Sequence, residues 1–181
     1  MRMLIASDIH GSWDATETLL ARIEEFVPDR VLLLGDLLYH GPRNDLPAGY
    51  APKKVFAALN ELSQKIPITA VRGNCDAEVD QMVLEFPIMK DYEIVIADGY
   101  KFGMTHGHLY SQGDIPDVLG AVDVLFCGHT HIKIIDNLGY MLVNPGSISI
   151  PKDICASYAT YDDGEVVLHA MDGAVLESCR L

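Results

Sequence analysis

The sequence has few basic residues and no long apolar run, and these two absences exclude several classes of protein. Lysine and arginine together number 13 against 26 aspartates and glutamates, which gives a formal net charge of -13. A protein that grips duplex nucleic acid normally carries a basic stripe that neutralises phosphates; none is visible, so we expect no such partner. No apolar stretch approaches the roughly 18 residues of a membrane helix, so we expect no membrane association. The first apolar run is short and is interrupted by Asp8, which argues against a signal peptide and favours a cytoplasmic protein.

Cysteine is also scarce and is not arranged in pairs. The four cysteines are scattered along the chain without a C-x-x-C motif, which argues against both a disulfide framework and a zinc knuckle. The 181 residues, of which 49% are hydrophobic, suffice for one sizeable core. We therefore predict a single domain over residues 1–181.

The first half of the chain alternates short apolar runs with helical patterns. Residues 3–7, 31–34 and 68–71 are continuous apolar runs, and the segments 14–26 and 51–62 between them have apolar residues at helical spacing. Apolar runs of this length that are separated by helices are typical of parallel strands covered on both faces. This half is therefore predicted to be α/β.

The second half is predicted to be mainly antiparallel. Asp-Gly pairs, which suit two-residue hairpin turns, occur inside the segments 93–105 and 157–179, and 132–143 reads as a further hairpin. Residues 122–127 form another buried run. Two packed sheets with helices outside would bury both halves.

Five apolar runs each end in aspartate, asparagine or histidine beside glycine. The five segments are Asp8-Ile9-His10-Gly11, Gly35-Asp36, Gly73-Asn74-Cys75-Asp76, His106-Gly107-His108 and Gly128-His129-Thr130-His131. Ligands of open α/β sheets bind beyond the carboxyl ends of the strands, so these segments can converge on one crevice. A side-chain set of Asp, Asn and His suits first-row divalent metals such as manganese, iron or zinc.

Each motif alone has a plainer interpretation. A single Asp-x-His or Gly-Asp is more often a turn or a helix cap than a metal site. His169 lies inside an alternating strand, and we expect it to be structural or exposed. Five motifs in order at comparable strand ends favour the metal site, and about seven ligands suit two octahedral ions better than one tetrahedral ion.

These motifs resemble those of the calcineurin-like metallophosphoesterases, in which D-x-H, G-D, G-N-x-D, H-G-H and G-H-x-H occur in this order. The match covers residues 8–131 and extends to the N-P-G-S sequence at 144–147. Further segments at 40–44, 49–54 and 74–82 are similar to the bacterial YfcE-type phosphodiesterases.

The resemblance implies a four-layer α/β/β/α sandwich of two mixed sheets and a centre of two divalent metals, with manganese preferred and iron, zinc or nickel as alternatives. It assigns Asp8, His10 and His131 to the first metal, Asp36 to a bridging position, and Asn74, His106 and His129 to the second metal. It also implies hydrolysis of a small phosphodiester by in-line attack of a hydroxide that bridges the two metals.

The sequence departs from many relatives at Cys75, where they have a histidine that is thought to assist the transition state or to protonate the leaving group. A thiol cannot replace an imidazolium in that role at neutral pH, and we interpret Cys75 as a small filler beside Asn74 rather than a nucleophile. We offer His40 as a substitute proton donor or phosphate contact and Arg43 as a binder of the substrate phosphate. A rigid surface turn is the alternative for that loop.

Asp76 and His108 are predicted to orient the metal ligands. The predicted catalytic residues are His40, Arg43, Asn74 and Asp76. A salt bridge is the favoured use of Arg72, ahead of a phosphate contact. The loops 37–50 and 107–117 are predicted to select the substrate.

Three alternatives stay open at this stage. The same centre can serve a phosphomonoesterase or a protein phosphatase, because the chemistry at phosphorus is shared. A scaffold is the third, since a retromer subunit of this fold works by binding proteins. We expect the protein to form a homodimer, because exposed strands in the second half of the chain could pair symmetrically.

Overall fold

The structure is a computed structural model that describes residues 1–110 and 117–181. Three α-helices lie in the described part of the chain, namely α1 (Trp13–Phe26), α2 (Pro52–Ser63) and the short α3 (Glu78–Gln81). The eleven strands described are β1 (Met3–Ala6), β2 (Arg30–Leu33), β3 (Ile68–Ala70), β4 (Tyr92–Ala97), β5 (Tyr100–Thr105), β6 (Val124–Phe126), β7 (Lys133–Asn137), β8 (Met141–Pro145), β9 (Ser157–Asp162), β10 (Glu165–Ala170) and β11 (Val175–Arg180).

The first sheet has the strand order β11-β10-β9-β1-β2-β3. Its β1, β2 and β3 run parallel, as the continuous apolar runs predict, and Ile5 lies opposite Leu32 in the register. The last three strands of the chain form an antiparallel meander, and β9 pairs with β1. The amino-terminal strand therefore lies in the middle of this sheet.

The second sheet has the strand order β4-β5-β6-β8-β7. The predicted hairpins β4–β5, β7–β8 and β9–β10 are present. Asp98 and Asp163 have φ values of 53° and 45° and are followed by Gly99 and Gly164, also at positive φ, as a primed turn requires.

The strands are not divided between the sheets as the two halves of the sequence suggest. The carboxyl-terminal meander joins the first sheet rather than the second. In the second sheet β5, β6 and β8 run parallel, although this half is mainly antiparallel. Both sheets are consequently mixed. Because β5 and β6 run parallel, their carboxyl ends lie at the same end of the second sheet.

The layers are held by three apolar clusters. Helices α1 and α2 cover the first sheet through Leu19, Ile23 and Leu59, which pack on Leu4 and Leu33. A second cluster fills the space between the sheets, and a third covers the outer face of the second sheet. On that outer face the helical layer of the described residues is a single 3-10 turn, Asp117–Leu119. The predicted sandwich of two mixed sheets is confirmed.

Two further sequence expectations can be compared with the structure. All four cysteines are free. None of the helices in the described ranges combines the length and apolar character needed to cross a bilayer.

Candidate metal centre

The five polar segments converge at one edge of the two sheets. Side-chain donors of Asp8, His10 and His131 lie within 4.8 Å of one another, and so do those of Asp8, Asp36 and His106. The remaining two predicted ligands adjoin this cluster. The Oδ1 atom of Asn74 is 3.2 Å from Nε2 of His106, and the rings of His129 and His106 have centroids 5.2 Å apart. The structure thus brings all seven predicted ligands together.

Most of these ligands have a backbone conformation that side chains rarely adopt. The φ values are 57° at Asp8, 49° at His10, 56° at Asp36, 68° at His129 and 60° at His131. A left-handed residue other than glycine costs roughly 1–2 kcal/mol, although aspartate and histidine are tolerated better than branched residues. Strained residues gathered in one place are typical of functional sites, because the surrounding fold must enforce them.

Neighbouring backbone enforces this conformation. The amide of His10 donates to the carbonyl of Asp36 at 2.9 Å, and the amide of Asp8 donates to the carbonyl of Gly35 at 3.1 Å. These bonds continue the β1–β2 ladder beyond the strands. The side chains of Asp8 and His10 are thereby directed into the cluster.

Three of the histidines are held in one tautomer by backbone carbonyls. Nδ1 of His10 lies 2.8 Å from the Tyr39 carbonyl, Nδ1 of His106 lies 2.6 Å from that of Leu34, and Nδ1 of His131 lies 2.6 Å from that of Ile150. Because a carbonyl only accepts, each Nδ1 carries a hydrogen, and each ring, when it is neutral, presents the lone pair of Nε2 to the cluster. The Nε2 atoms of His10 and His131 are only 3.2 Å apart. Two lone pairs that face each other at this distance require a cation or a proton between them.

Each of the two carboxylates has one oxygen fixed by the fold and one that faces the imidazoles. Oδ2 of Asp8 accepts from the Ser7 hydroxyl at 2.6 Å and from the His129 amide at 3.1 Å. Oδ1 of Asp8 is buried, has no hydrogen-bond partner among the residues that the structure describes, and lies 3.2 Å from Nε2 of His131.

Asp36 is arranged in the same way. Its Oδ1 accepts from the amide of Cys75 at 2.7 Å. Its Oδ2 lies 3.7 Å from Nε2 of His10 and 3.5 Å from Nε2 of His106. This oxygen therefore stands between the two ligand groups, as a bridging ligand must.

The electrostatics of the cluster favour a cation. Burial lowers the pKa of His106, but the hydrogen bond to Asp36 and the charges of both carboxylates outweigh it and raise that pKa to about 9. Burial opposes ionisation of Asp36, yet the contact with His106 holds the pKa of its carboxyl well below the usual range. In the protein alone a proton on His106 balances charge that a metal would otherwise neutralise.

Asp76 holds two of the converging loops together. One carboxylate oxygen accepts from the amides of Asp36 at 2.8 Å and Gly73 at 2.7 Å, and the other accepts from the amide of Leu37 at 2.8 Å. Burial raises the pKa of Asp76 to about 6, although these three donors act in the opposite direction. The carboxylate contacts the backbone of the ligand loops, and its orienting role stays a prediction.

Glycines allow the loops that carry the ligands to pass close to one another. A Cβ atom on Gly73 would lie 2.0 Å from Oδ1 of Asp36, and one on Gly128 would lie 2.0 Å from the Ser7 hydroxyl oxygen. Contacts this short are not tolerated, so glycine is required at both crossings. The glycines of the motifs therefore bring the ligands close.

Two serines hold the backbone of Asp8, a role that was not predicted from the sequence. The hydroxyls of Ser147 and Ser149 both donate to the carbonyl of Asp8 at 2.8 Å. Asn144 donates to the Gly128 carbonyl at 2.8 Å. The N-P-G-S motif was the available signal, and its role is to fix the neighbouring loops.

The cluster opens into a cleft of about 830 Å³. Arg43 lines the cleft, and its role as a binder of the substrate phosphate stays a prediction. Lys152, Tyr39 and Thr130, to which the sequence assigned no role, also line the cleft. His40 is not among the lining residues: its ring lies between those of Tyr39 and Tyr50, with centroids 4.8 and 5.3 Å away. Its role as proton donor stays a prediction.

The other residues near the cluster have varied environments. Cys75 lines the cleft, and burial together with the Asp36 charge raises its thiol pKa to about 12. The ring of His108 has its centroid 5.3 Å from that of His106, and its Nδ1 has no hydrogen-bond partner within residues 1–110 and 117–181. Arg72 forms an ion pair with Asp91, the use favoured from sequence. Part of the predicted specificity loop 107–117 lies outside the described residues.

His169 lies outside the cleft. Its Nε2 is 2.8 Å from the hydroxyl of Thr160, and its ring stacks on that of Tyr158 with centroids 5.0 Å apart. The expectation of a structural role agrees with these contacts.

The donor set fits divalent metal ions. It combines four imidazoles, two carboxylates and one amide, which are ligands that first-row metals accept. The partnerless Oδ1 of Asp8 and the facing Nε2 atoms of His10 and His131 are satisfied by a cation and are costly without one.

Comparisons with known proteins agree with this geometry. The family model for the "Calcineurin-like phosphoesterase superfamily domain" matches residues 1–165. The chain is 45% identical over 174 residues to phosphodiesterase YfcE of Escherichia coli K12, which covers 95% of this chain and 93% of the relative. It is 30% identical over 160 residues to the probable metallophosphoesterase YsnB of Bacillus subtilis, covering 84% of this chain and 78% of the relative.

Solved structures have the same fold. The structure of YfcE, described as a phosphoesterase from E. coli, superposes with a TM-score of 0.92 at 42% identity and covers 99% of both chains. Wild-type Vps29 from Entamoeba histolytica, complexed with zinc, superposes with a TM-score of 0.66 at 21% identity over 99% of both chains, which supports the fold alone. The chain belongs to the calcineurin-like phosphoesterase superfamily.

Proposed function

We propose that the protein is a metal-dependent phosphodiesterase that hydrolyses small phosphodiesters. The observation that carries the proposal is the position of Asp36 Oδ2, 3.7 Å from Nε2 of His10 and 3.5 Å from Nε2 of His106. One carboxylate oxygen between two sets of metal ligands suits a pair of ions. The 45% identity to the phosphodiesterase YfcE over 95% of the chain supports a diester as substrate.

The seven ligands divide around Asp36. We assign Asp8, His10 and His131 to one ion, Asn74, His106 and His129 to the other, and Asp36 to both. When bound, the two ions would supply the Lewis acidity that ionises a shared water for in-line attack and neutralises the phosphoryl oxygens. Manganese is our first candidate, and iron, zinc and nickel suit the same donors.

The residues of the chain bind and orient the ester. Arg43 and Lys152 line the cleft and have no carboxylate partner within the described residues, so their charges are free to contact non-bridging oxygens of the phosphate. The raised pKa of Cys75 keeps its sulfur a thiol at neutral pH. The proposal therefore contains no covalent intermediate on sulfur.

The decisive experiment is hydrolysis of bis(4-nitrophenyl) phosphate by the purified protein with added manganese, before and after chelation. We expect activity that is lost with a chelator and restored by manganese. Asp36→Asn should reduce kcat/KM by about a hundredfold or more. Asp29→Asn, at the amino-terminal end of β2 and therefore at the opposite end of the strand from Asp36, should leave it unchanged. Absence of metal-dependent hydrolysis would overturn the proposal and favour a scaffold that binds partners. Preference for 4-nitrophenyl phosphate would favour the phosphomonoesterase alternative.

The proton donor to the leaving group is a separate question. We retain His40 as the candidate. To reach the leaving group, its ring would have to rotate out from between those of Tyr39 and Tyr50. His40→Ala should slow diesters with poor leaving groups more than bis(4-nitrophenyl) phosphate, and equal effects on both would exclude the role. A cytoplasmic location, a homodimer and the absence of duplex nucleic-acid partners stay predictions from the sequence.

A further inference from the structure

A second cavity of about 420 Å³ adjoins the cleft of the metal centre. Tyr39, Cys75 and Ala77 line both cavities and form the boundary between them. The second cavity therefore directly neighbours the space in which a phosphate group would lie.

The walls of this cavity are mostly apolar, unlike those of the cleft. They are formed by Leu38, Tyr50, Pro52, Phe56, Val79 and Val83. Val79 is 66% exposed and Val83 is 38% exposed, and Phe56 on α2 is only partly buried against the core. Apolar surface left open beside a polar site is typical of a ligand subsite.

The unpaired cations of the protein cluster at the same two cavities. Ten of the 13 lysines and arginines have an ion pair, a hydrogen bond or an aromatic ring as partner. The three without one in the described residues are Arg43 and Lys152, which line the cleft, and Lys53, which lines the second cavity. In so acidic a chain, free positive charge at these cavities favours an anionic ligand that extends across both.

We propose that the second cavity binds an aromatic substituent of the phosphodiester while the phosphate lies in the cleft. The inference rests on the proposed function and narrows its substrate class to diesters that carry at least one aromatic group. The rings of Tyr50 and Phe56 offer faces or edges for stacking. Lys53 and Asp80 at the same cavity supply one donor and one acceptor for polar atoms on the ring.

The proposal is tested by binding rather than by turnover. Calorimetry in the presence of manganese would compare methylphosphonate with phenylphosphonate and 2-phenylethylphosphonate, which reach different distances from the phosphorus. We expect the tighter aromatic ligand to bind about tenfold better than methylphosphonate, which corresponds to about 1.4 kcal/mol. Val79→Asp and Val83→Asp should reduce that preference to about twofold or less.

Met82→Asp is the matched control. Met82 lies between the two valines in sequence and is 83% exposed, but it does not line the cavity. The preference for the aromatic ligand should be unchanged in this variant. Equal binding of methyl and aromatic ligands by the wild-type protein, or a preference that survives both valine substitutions, would overturn the proposal and leave the proposed function intact.

Two other outcomes also decide the matter. If no phosphonate binds and bis(4-nitrophenyl) phosphate is not hydrolysed, the proposed function fails and this inference fails with it. If light scattering shows a dimer that Val79→Asp and Met82→Asp both dissociate, with the phosphonate preference unchanged, the cavity serves a second copy of the chain. The aromatic subsite would then be wrong.

Discussion

Removal of the Asp76 carboxylate is the sharpest test of how the centre is assembled. In the metal-free protein, Asp76→Ala leaves the amides of Asp36, Leu37 and Gly73 without their acceptor, in a region where Asp76 itself is 8% exposed. A buried donor left unpaired costs about 2 kcal/mol. The substitution also removes a carboxylate whose ionised form burial disfavours, as its raised pKa of about 6 shows, and this partly offsets the loss. We expect a net loss of about 3 kcal/mol in the free energy of unfolding.

Asp76→Asn should have a smaller effect. One oxygen of Asp76 serves the amides of both Asp36 and Gly73, and the amide oxygen of asparagine can replace it. The new NH2 group would then face the amide of Leu37, so one bond is lost, at about 1–2 kcal/mol. Because Asp76 fixes the loops that carry Asp36 and Asn74, both variants should bind manganese about 10–100-fold more weakly.

The assays are urea unfolding of the metal-free protein and calorimetric titration with manganese. Asp29→Ala is the control, since Asp29 also accepts one backbone amide, that of Arg2 at 2.7 Å, but is exposed and remote from the centre. It should lower the free energy of unfolding by less than about 1 kcal/mol and leave the manganese affinity unchanged. If Asp76→Ala unfolds at the same urea concentration as the wild type and binds manganese equally well, the assigned role is refuted.

Three further predictions concern close packing, metal removal and pH. Gly128→Ala should weaken manganese binding at least tenfold, because the new Cβ would lie 2.0 Å from the Ser7 hydroxyl that supports Asp8; unchanged calorimetric affinity would contradict this. Manganese at a hundred times its Kd should stabilise the chelated protein by about 2.7 kcal/mol, and no change in Tm on titration would argue against a metal centre. The hydroxyl of Tyr161 donates to Asp98, and burial raises the pKa of Tyr161 from 10.0 to about 12. The free energy of unfolding should therefore fall between pH 10 and 12, and Tyr161→Phe should flatten that fall in urea titrations.

Local chemistry explains why so much of the centre could be predicted from the sequence. The ligands of each motif directly follow an apolar run, so their position at a strand end depends on a few neighbouring residues. Asp98 and Asp163 likewise mark their hairpins, because an Asp-Gly pair suits a primed turn. Such signals act within a few residues and need no knowledge of the fold.

The remaining features depend on contacts between distant segments. The pairing of β9 with β1 joins residues more than 150 positions apart, and no local pattern specifies it. Ser149 contacts the carbonyl of Asp8 across a separation of 141 positions. Lys152 reaches the cleft because its loop packs against His131, whose carbonyl accepts the Lys152 amide at 3.0 Å. These roles arise only after the two sheets have packed.

The left-handed conformation of five ligands has a consequence for how the protein tolerates change. Glycine adopts positive φ freely, so replacing His129 by glycine would relax the main chain while it removes the imidazole. Left-handed strain costs roughly 1–2 kcal/mol and the greater chain entropy of glycine roughly 0.5–1 kcal/mol, so in the chelated protein we expect this variant to resist heat at least as well as its parent. Selection for heat resistance alone would thus erode the centre, and only selection for activity retains histidine and aspartate at these positions.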